Sequence, residues 1–168
     1  MNAAEARSEA LYRLHRTAIL GYLARRVEPR EDAADLLSEV FTTAWRRIDA
    51  LPDGDDARLW LYGTARNVLA NHRRGSTRRA SLTARLREHL AVRLQRVDEP
   101  DGVTAVHEAL AGLSEPDREV LTLSAWEQMT PAEIAVVLGL NPATVRARLA
   151  RARVHLRSAL ATHTPATR

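Results

Sequence analysis

The chain has no cysteine, which excludes a disulfide framework, a thiolate zinc site and a thiol nucleophile. It has no lysine either, so all 25 cationic side chains other than histidine are arginine. An arginine fork suits phosphate and guanine edges, although genomic base composition accounts for the choice equally well. Aromatic residues are few, three Trp, three Tyr and one Phe. Aliphatic packing must therefore close the core, which favours helices over a sheet. No stretch approaches the roughly 18 apolar residues of a membrane span, and the first residues hold no apolar leader segment. A cytoplasmic protein without membrane insertion is expected. The six histidines, His15, His72, His89, His107, His155 and His163, are scattered without metal-ligand spacing. No serine sits in a nucleophile elbow and no glycine-rich phosphate loop is present. The expectation is a chain with no catalytic residue, no metal and no cofactor.

What is present is a strongly uneven charge. Residues 28–56 hold nine acids against three arginines, whereas residues 73–96 hold eight arginines against Glu88 alone. From Asn141 onward there are six arginines and no acid. One segment repels phosphate and two attract it, which calls for a protein partner as well as a nucleic acid.

At 168 residues the length suits two small helical domains as well as one. Apolar residues at helical spacing predict a helix over 3–27, with Leu11, Leu14, Ala18, Leu20 or Ile19, Tyr22 and Leu23 inward. A second helix is predicted over 30–48, with Leu37, Phe41, Ala44, Trp45 and Ile48 on its inner face and Asp32, Asp35 and Glu39 on another. Pro52 and Gly54 make 51–56 a turn, and Asp56 is the expected cap of a helix over 57–72. Gly75, Ser76 and Thr77 interrupt the pattern, and 75–102 reads as a flexible linker, partly helical at most, between a domain of residues 1–74 and one of 103–168.

The second domain carries a short helix over 106–112, then three helix starts with a cap followed by proline. Ser114 precedes Pro116 and a helix over 118–126; Thr130 precedes Pro131 and a helix ending at Leu138; Asn141 precedes Pro142 and a helix to about Leu160. Gly139 supplies the tight turn between the last two. Ile134, Ala135 and Leu138 on one helix, and Val145, Leu149, Ala152 and Leu156 on the next, form the facing inner surfaces of a helix-turn-helix. An ordinary helical hairpin shares those features. The last helix, however, bears Arg146, Arg148, Arg151, Arg153 and Arg157 with no acid among them, unlike the mixed charge of a solvated face. Duplex DNA binding through that helix is the expectation.

Two segments carry a family resemblance. DAADLLSEVFTTAWRRIDALPDGDDARLWLYGTARNVLANHRR, residues 32–74, resembles the second conserved region of bacterial RNA polymerase sigma factors of the extracytoplasmic-function (ECF) type, in the sigma-70 family. ALAGLSEPDREVLTLSAWEQMTPAEIAVVLGLNPATVRARLARARVHL, residues 109–156, resembles their fourth region. The resemblance implies an all-α fold of two domains and a protein that binds core RNA polymerase, recognises promoter DNA and opens it. It assigns polymerase docking to Asp32, Asp35, Leu36, Glu39 and Val40. It assigns the -10 element to Trp60, Tyr62, Arg66, Asn67, Asn71, Arg73 and Arg74, with Asp53, Asp55 and Asp56 in the loop that holds a flipped base. That loop is unusually acidic for a surface near phosphate, and Trp60 serves equally well as a core residue. Ala143, Thr144, Arg146, Ala147, Arg148, Arg151 and Arg153 fall to the -35 element, Arg148 being placed to grip guanine. A separate anti-sigma factor is a partner the family implies, though no residue here marks one. An autonomous two-domain regulator and a polymerase-sequestering inhibitor are the rival readings.

Overall fold

A computed structural model of the protein describes the backbone of residues 2–87 and 101–163, and the side chains of 2–76 and 105–162. All regular structure among the described residues is helical. The chain divides into two compact units, Met1–Val92 and Arg93–Arg168.

In the first unit, α1 (Ala3–Ala24), α2 (Ala33–Arg46) and α3 (Gly54–Arg87) pack on one another. Helix α1 starts in a capping box that composition did not suggest: Asn2 accepts from the Glu5 amide while Glu5 accepts from the Asn2 amide. A 3-10 turn over Arg30–Asp32 leads into α2, and a second over Ile48–Ala50 follows it. The core is Ile19, Tyr22 and Leu23 of α1, Leu36, Leu37, Val40 and Ala44 of α2, and Leu59, Leu61, Tyr62, Ala65, Val68 and Leu69 of α3. Three residues expected inside lie outside it: Leu14 is 75% exposed, Trp45 44%, and Ala18 is exposed as well. Phe41 is half-buried, edge-on to Tyr12 at 4.9 Å.

Helix α3 departs most from expectation. It begins at Gly54, before the expected cap at Asp56, so that Asp55 and Asp56 lie in its first turn at the positive end of the helix dipole. Nor does it break at Gly75. It runs on as 34 residues to Arg87. Extending an existing helix needs no new nucleus, so one glycine costing about 1 kcal/mol does not end it when arginines surround it. Ser76 turns its hydroxyl onto the Arg73 carbonyl at 2.9 Å, satisfying itself on the helix that carries it. The first part of the expected linker is therefore helical; residues 88–100 lie outside the described residues.

The second unit holds α4 (Asp101–Ala111), α5 (Glu115–Ala125), α6 (Pro131–Leu138) and α7 (Pro142–His163). Its three predicted caps all form. Ser114 accepts from the Asp117 amide and Asn141 from the Ala143 amide, while Thr130 and Glu133 close a capping box. Gly139 ends α6 at φ +64°, a conformation that disfavours any side chain. Val145, Leu149 and Ala152 of α7 are buried where α7 packs on α5 and α6, Ala152 in a cluster with Leu113 and Leu121, while Ile134, Ala135 and Val137 are the buried residues of α6. Val137 takes the inner place expected of Leu138, which is only partly covered. Arg118 joins α5 to the end of α4, donating to the carbonyls of Leu110 at 2.8 Å, Ala111 at 3.1 Å and Leu113 at 2.9 Å. Leu110 and Ala111 are in the last turn of α4, where carbonyls lack intrahelical donors, and Leu113 lies in the connection to α5. Helices α6 and α7, joined by a glycine turn, form the helix-turn-helix.

Candidate functional site

The acidic end of α2 is built by its own burial pattern. Leu36 and Val40 are 5% and 0% exposed. They lie beneath the helix in the core, because Ala33, Leu36, Leu37, Val40 and Ala44 form its inward stripe. Of the five residues expected to dock, these two thus hold the helix and do not face a partner. Asp35 and Glu39 are exposed one turn apart on one face, with Ser38 beside them. Two like charges at that spacing cost an isolated helix a few tenths of a kcal/mol, so the helix does not gain from having them there. Asp32, at the helix start, approaches His72 Nε2 of α3 at 3.4 Å and is half-exposed.

The second set divides over two faces of α3. Trp60, Asn67, Asn71 and Arg74 follow at steps of seven, four and three residues, which stacks them along one side. Trp60 is half-buried and the other three are exposed. Arg74 donates to the Asn71 side chain. Tyr62, Arg66 and Arg73 occupy a neighbouring side that meets α1. Tyr62 is 2% exposed, packed edge-on to Tyr22 at 5.3 Å. This corrects the expectation of a strand-facing Tyr62: it is a core residue, and of the two Trp60 is the partly exposed one. Arg66 is half-buried, and Arg73 reaches the Arg26 carbonyl at 3.4 Å. Arg26 in turn lies over the Tyr22 ring at 3.9 Å.

The acidic loop is held by a residue that sequence reasoning did not single out. Arg7 of α1 donates to the carbonyls of Ile48, Leu51 and Pro52, and pairs with Asp53 at 2.8 Å. Asp53 is thereby engaged, whereas Asp55 and Asp56 are exposed and form no ion pair among the described residues. The partners are 41 to 46 residues apart, so no local signal marks Arg7.

On α7, Ala143, Thr144, Arg146, Ala147, Arg151 and Arg153 are exposed and Arg148 is half-buried. With Val145, Leu149 and Ala152 buried, Thr144, Ala147, Arg148 and Arg151 share the outer face, and Arg146, Arg153 and Arg157 line the opposite flank. The helix presents five arginines over Arg146 to Arg157 and no carboxylate of its own. One carboxylate comes from elsewhere: Asp117 of α5 meets Arg151 at 3.2 Å. Among the described residues no cluster of three potential metal ligands occurs, and no helix is long and apolar enough to cross a membrane.

Two sigma-70 domains match this chain, region 2 over residues 11–79 and region 4 over residues 104–156. The ECF RNA polymerase sigma factor SigL of Mycobacterium tuberculosis is 32% identical over 151 residues, spanning 83% of this chain and 81% of SigL. The chain is an ECF sigma factor of the sigma-70 family. Sigma factors are not enzymes, in keeping with surfaces built from arginines and exposed carboxylates. CnrH, solved in complex with the cytosolic domain of CnrY, is similar in structure with a TM-score of 0.67 and 27% identity, over 94% of this sigma factor and 89% of CnrH. The sigma factor RpoE of Bartonella quintana, solved with the anti-sigma factor NepR, shares the fold with a TM-score of 0.69 at 20% identity, over 90% and 95% of the two chains.

Proposed function

We propose that this sigma factor binds core RNA polymerase through the Asp35–Glu39 face of α2, reads promoter DNA through α7, and supports strand opening with the Trp60, Asn67, Asn71 and Arg74 face of α3. The observation that carries it is the division of charge between the units. An exposed acidic stripe sits in the region 2 unit, and an outer helix face whose only charges are arginines sits in the region 4 unit. A carboxylate stripe complements a basic protein surface, where it adds orientation and on-rate more than affinity. The arginines of α7 complement phosphate and guanine edges. On α3, one half-exposed indole beside amides and an arginine offers a stacking surface with hydrogen-bonding groups for an unpaired base. The domain limits follow the same division, with the region 2 unit continuing into the helical part of the linker.

The likeness to CnrH, which was solved with the cytosolic domain of CnrY, supports a separate protein partner for this chain as well, and an anti-sigma factor is the class that the family implies. Cytoplasmic action follows from a partnership with polymerase.

Comigration with purified core polymerase, together with footprints on promoter fragments with and without core, tests the proposal. A sigma factor gives core binding and footprints that need core. An autonomous regulator gives footprints without core, and a sequestering inhibitor gives core binding without footprints.

A further inference from the structure

The ion pair between Asp117 and Arg151 links residues 34 apart in the chain, and the two are unequally placed: the Asp117 side chain is 16% exposed and that of Arg151 63%. Asp117 sits in the first turn of α5, where the helix dipole favours its charge. Its backbone is fixed on both sides. Ser114 accepts from its amide at 3.3 Å, and Arg118, the next residue, is bound to two carbonyls at the end of α4 and to that of Leu113 in the connection after it. A carboxylate so anchored is a fixed point against which a long, exposed arginine can be ordered.

Arg151 lies one turn beyond Ala147 on the outer face of α7, in line with Thr144 and beside Arg148. Its contact with Asp117 runs through one terminal nitrogen, so most of the five N–H donors of the guanidinium stay available. An acid beside a helix otherwise devoid of carboxylates would be a defect if its effect were only to repel phosphate. Holding the arginine while leaving its fork open is a use for it.

We propose that Asp117 is a positioning residue for DNA recognition, fixing Arg151 on the outer face of α7 so that its remaining donors meet a backbone phosphate without loss of side-chain freedom at the moment of binding. The proposal rests on the reading of α7 as the DNA helix. Freezing one long side chain costs about 0.5–1.5 kcal/mol, so prior ordering is expected to raise affinity about two- to tenfold.

The test uses the full chain with core polymerase and, as probe, the duplex that this wild-type complex enriches from a random-sequence pool. Affinities are measured for wild type, Asp117→Asn, Arg151→Ala and the double variant across a salt series. Arg151→Ala is expected to weaken binding and to reduce the log–log salt slope by about one. Asp117→Asn is expected to weaken binding about two- to tenfold with its slope unchanged, and to have no effect once Arg151 is alanine. A loss that persists in the Arg151→Ala background would make Asp117 a structural residue of α5 and overturn the proposal. Tighter binding by Asp117→Asn would also overturn it, since the carboxylate would then act by repulsion. If no duplex is enriched, or Arg151→Ala binds as wild type does, the assignment of this helix face to DNA falls first and the proposal with it.

Discussion

Replacing Arg7 by alanine removes a side chain that spans from α1 to the turn before α3. Its guanidinium serves three part-buried carbonyls, those of Ile48, Leu51 and Pro52, and one carboxylate, Asp53, that is 94% exposed. A hydrogen bond from a charged donor contributes about 1.5–3 kcal/mol, but water can reach part-buried carbonyls once the arginine is gone, so the whole set is worth roughly 2–4 kcal/mol. The exposed ion pair adds at most about 0.5 kcal/mol of that. For a unit of this size each kcal/mol moves the midpoint by about 4–8 °C, so Arg7→Ala is expected to lower the melting of the first unit by roughly 10–30 °C. Thermal circular dichroism on the full chain measures it. Arg7→Lys keeps the charge but cannot fork, and is expected to recover little; Asp53→Ala is expected to melt within about 2–4 °C of wild type, since it removes only the exposed pair. An Asp53→Ala loss equal to that of Arg7→Ala would show that the ion pair, not the carbonyl clamp, holds the turn. An Arg7→Ala protein melting with wild type would refute the clamp altogether.

Asp35→Arg combined with Glu39→Arg is expected to abolish binding to core polymerase in a titration while leaving helix content unchanged, because both side chains are exposed; equal affinity would remove α2 from docking. Arg148→Ala is expected to cost about 1–3 kcal/mol on the preferred duplex and little on a scrambled one, while Arg153→Ala weakens both alike, as measured by fluorescence anisotropy of the full chain with core. His15 is half-buried beside Arg58, and burial first, then that positive charge, holds its pKa below the ordinary 6.5. The unfolded chain therefore takes up the proton more readily. Stability is complete above pH 6.5 and is lost as pH falls from there through the lowered folded value. Urea midpoints measured across that window are expected to fall less in His15→Gln than in wild type, and parallel curves would mean that His15 is not the group responsible.

The helix-turn-helix was legible because its determinants are local. Thr130, Pro131 and Glu133 start α6, Gly139 ends it and Asn141 starts α7, each acting within a few residues of itself, and Val145, Leu149 and Ala152 keep a clean helical period. In α3 the period is blurred, since Leu59, Trp60, Leu61 and Tyr62 are all apolar or aromatic and their spacing does not say which pair of neighbouring helices they meet. Contact with Tyr22 decides that Tyr62 is inside and leaves Trp60 partly exposed. Leu36 and Val40 were named for docking by likeness to a family motif, but a motif records which positions matter without separating those that touch a partner from those that hold the helix. Arg7 and Asp117 act across 41 to 46 and 34 residues, where only the folded chain brings the groups together. Gly75 misled for the opposite reason, since a local breaker was outweighed by the helix already formed on both sides of it.

This chain is expected to let core polymerase open promoter DNA that core alone leaves closed. Run-off transcription by core enzyme on a pool of genomic fragments, with and without the purified chain, measures that directly when the 5′ ends of the transcripts are sequenced. Discrete new start sites are expected that appear only with the chain, share one pair of upstream sequence elements, and are lost with Asp35→Arg and Glu39→Arg together. Start sites unchanged by adding the chain, with core binding intact, would contradict it.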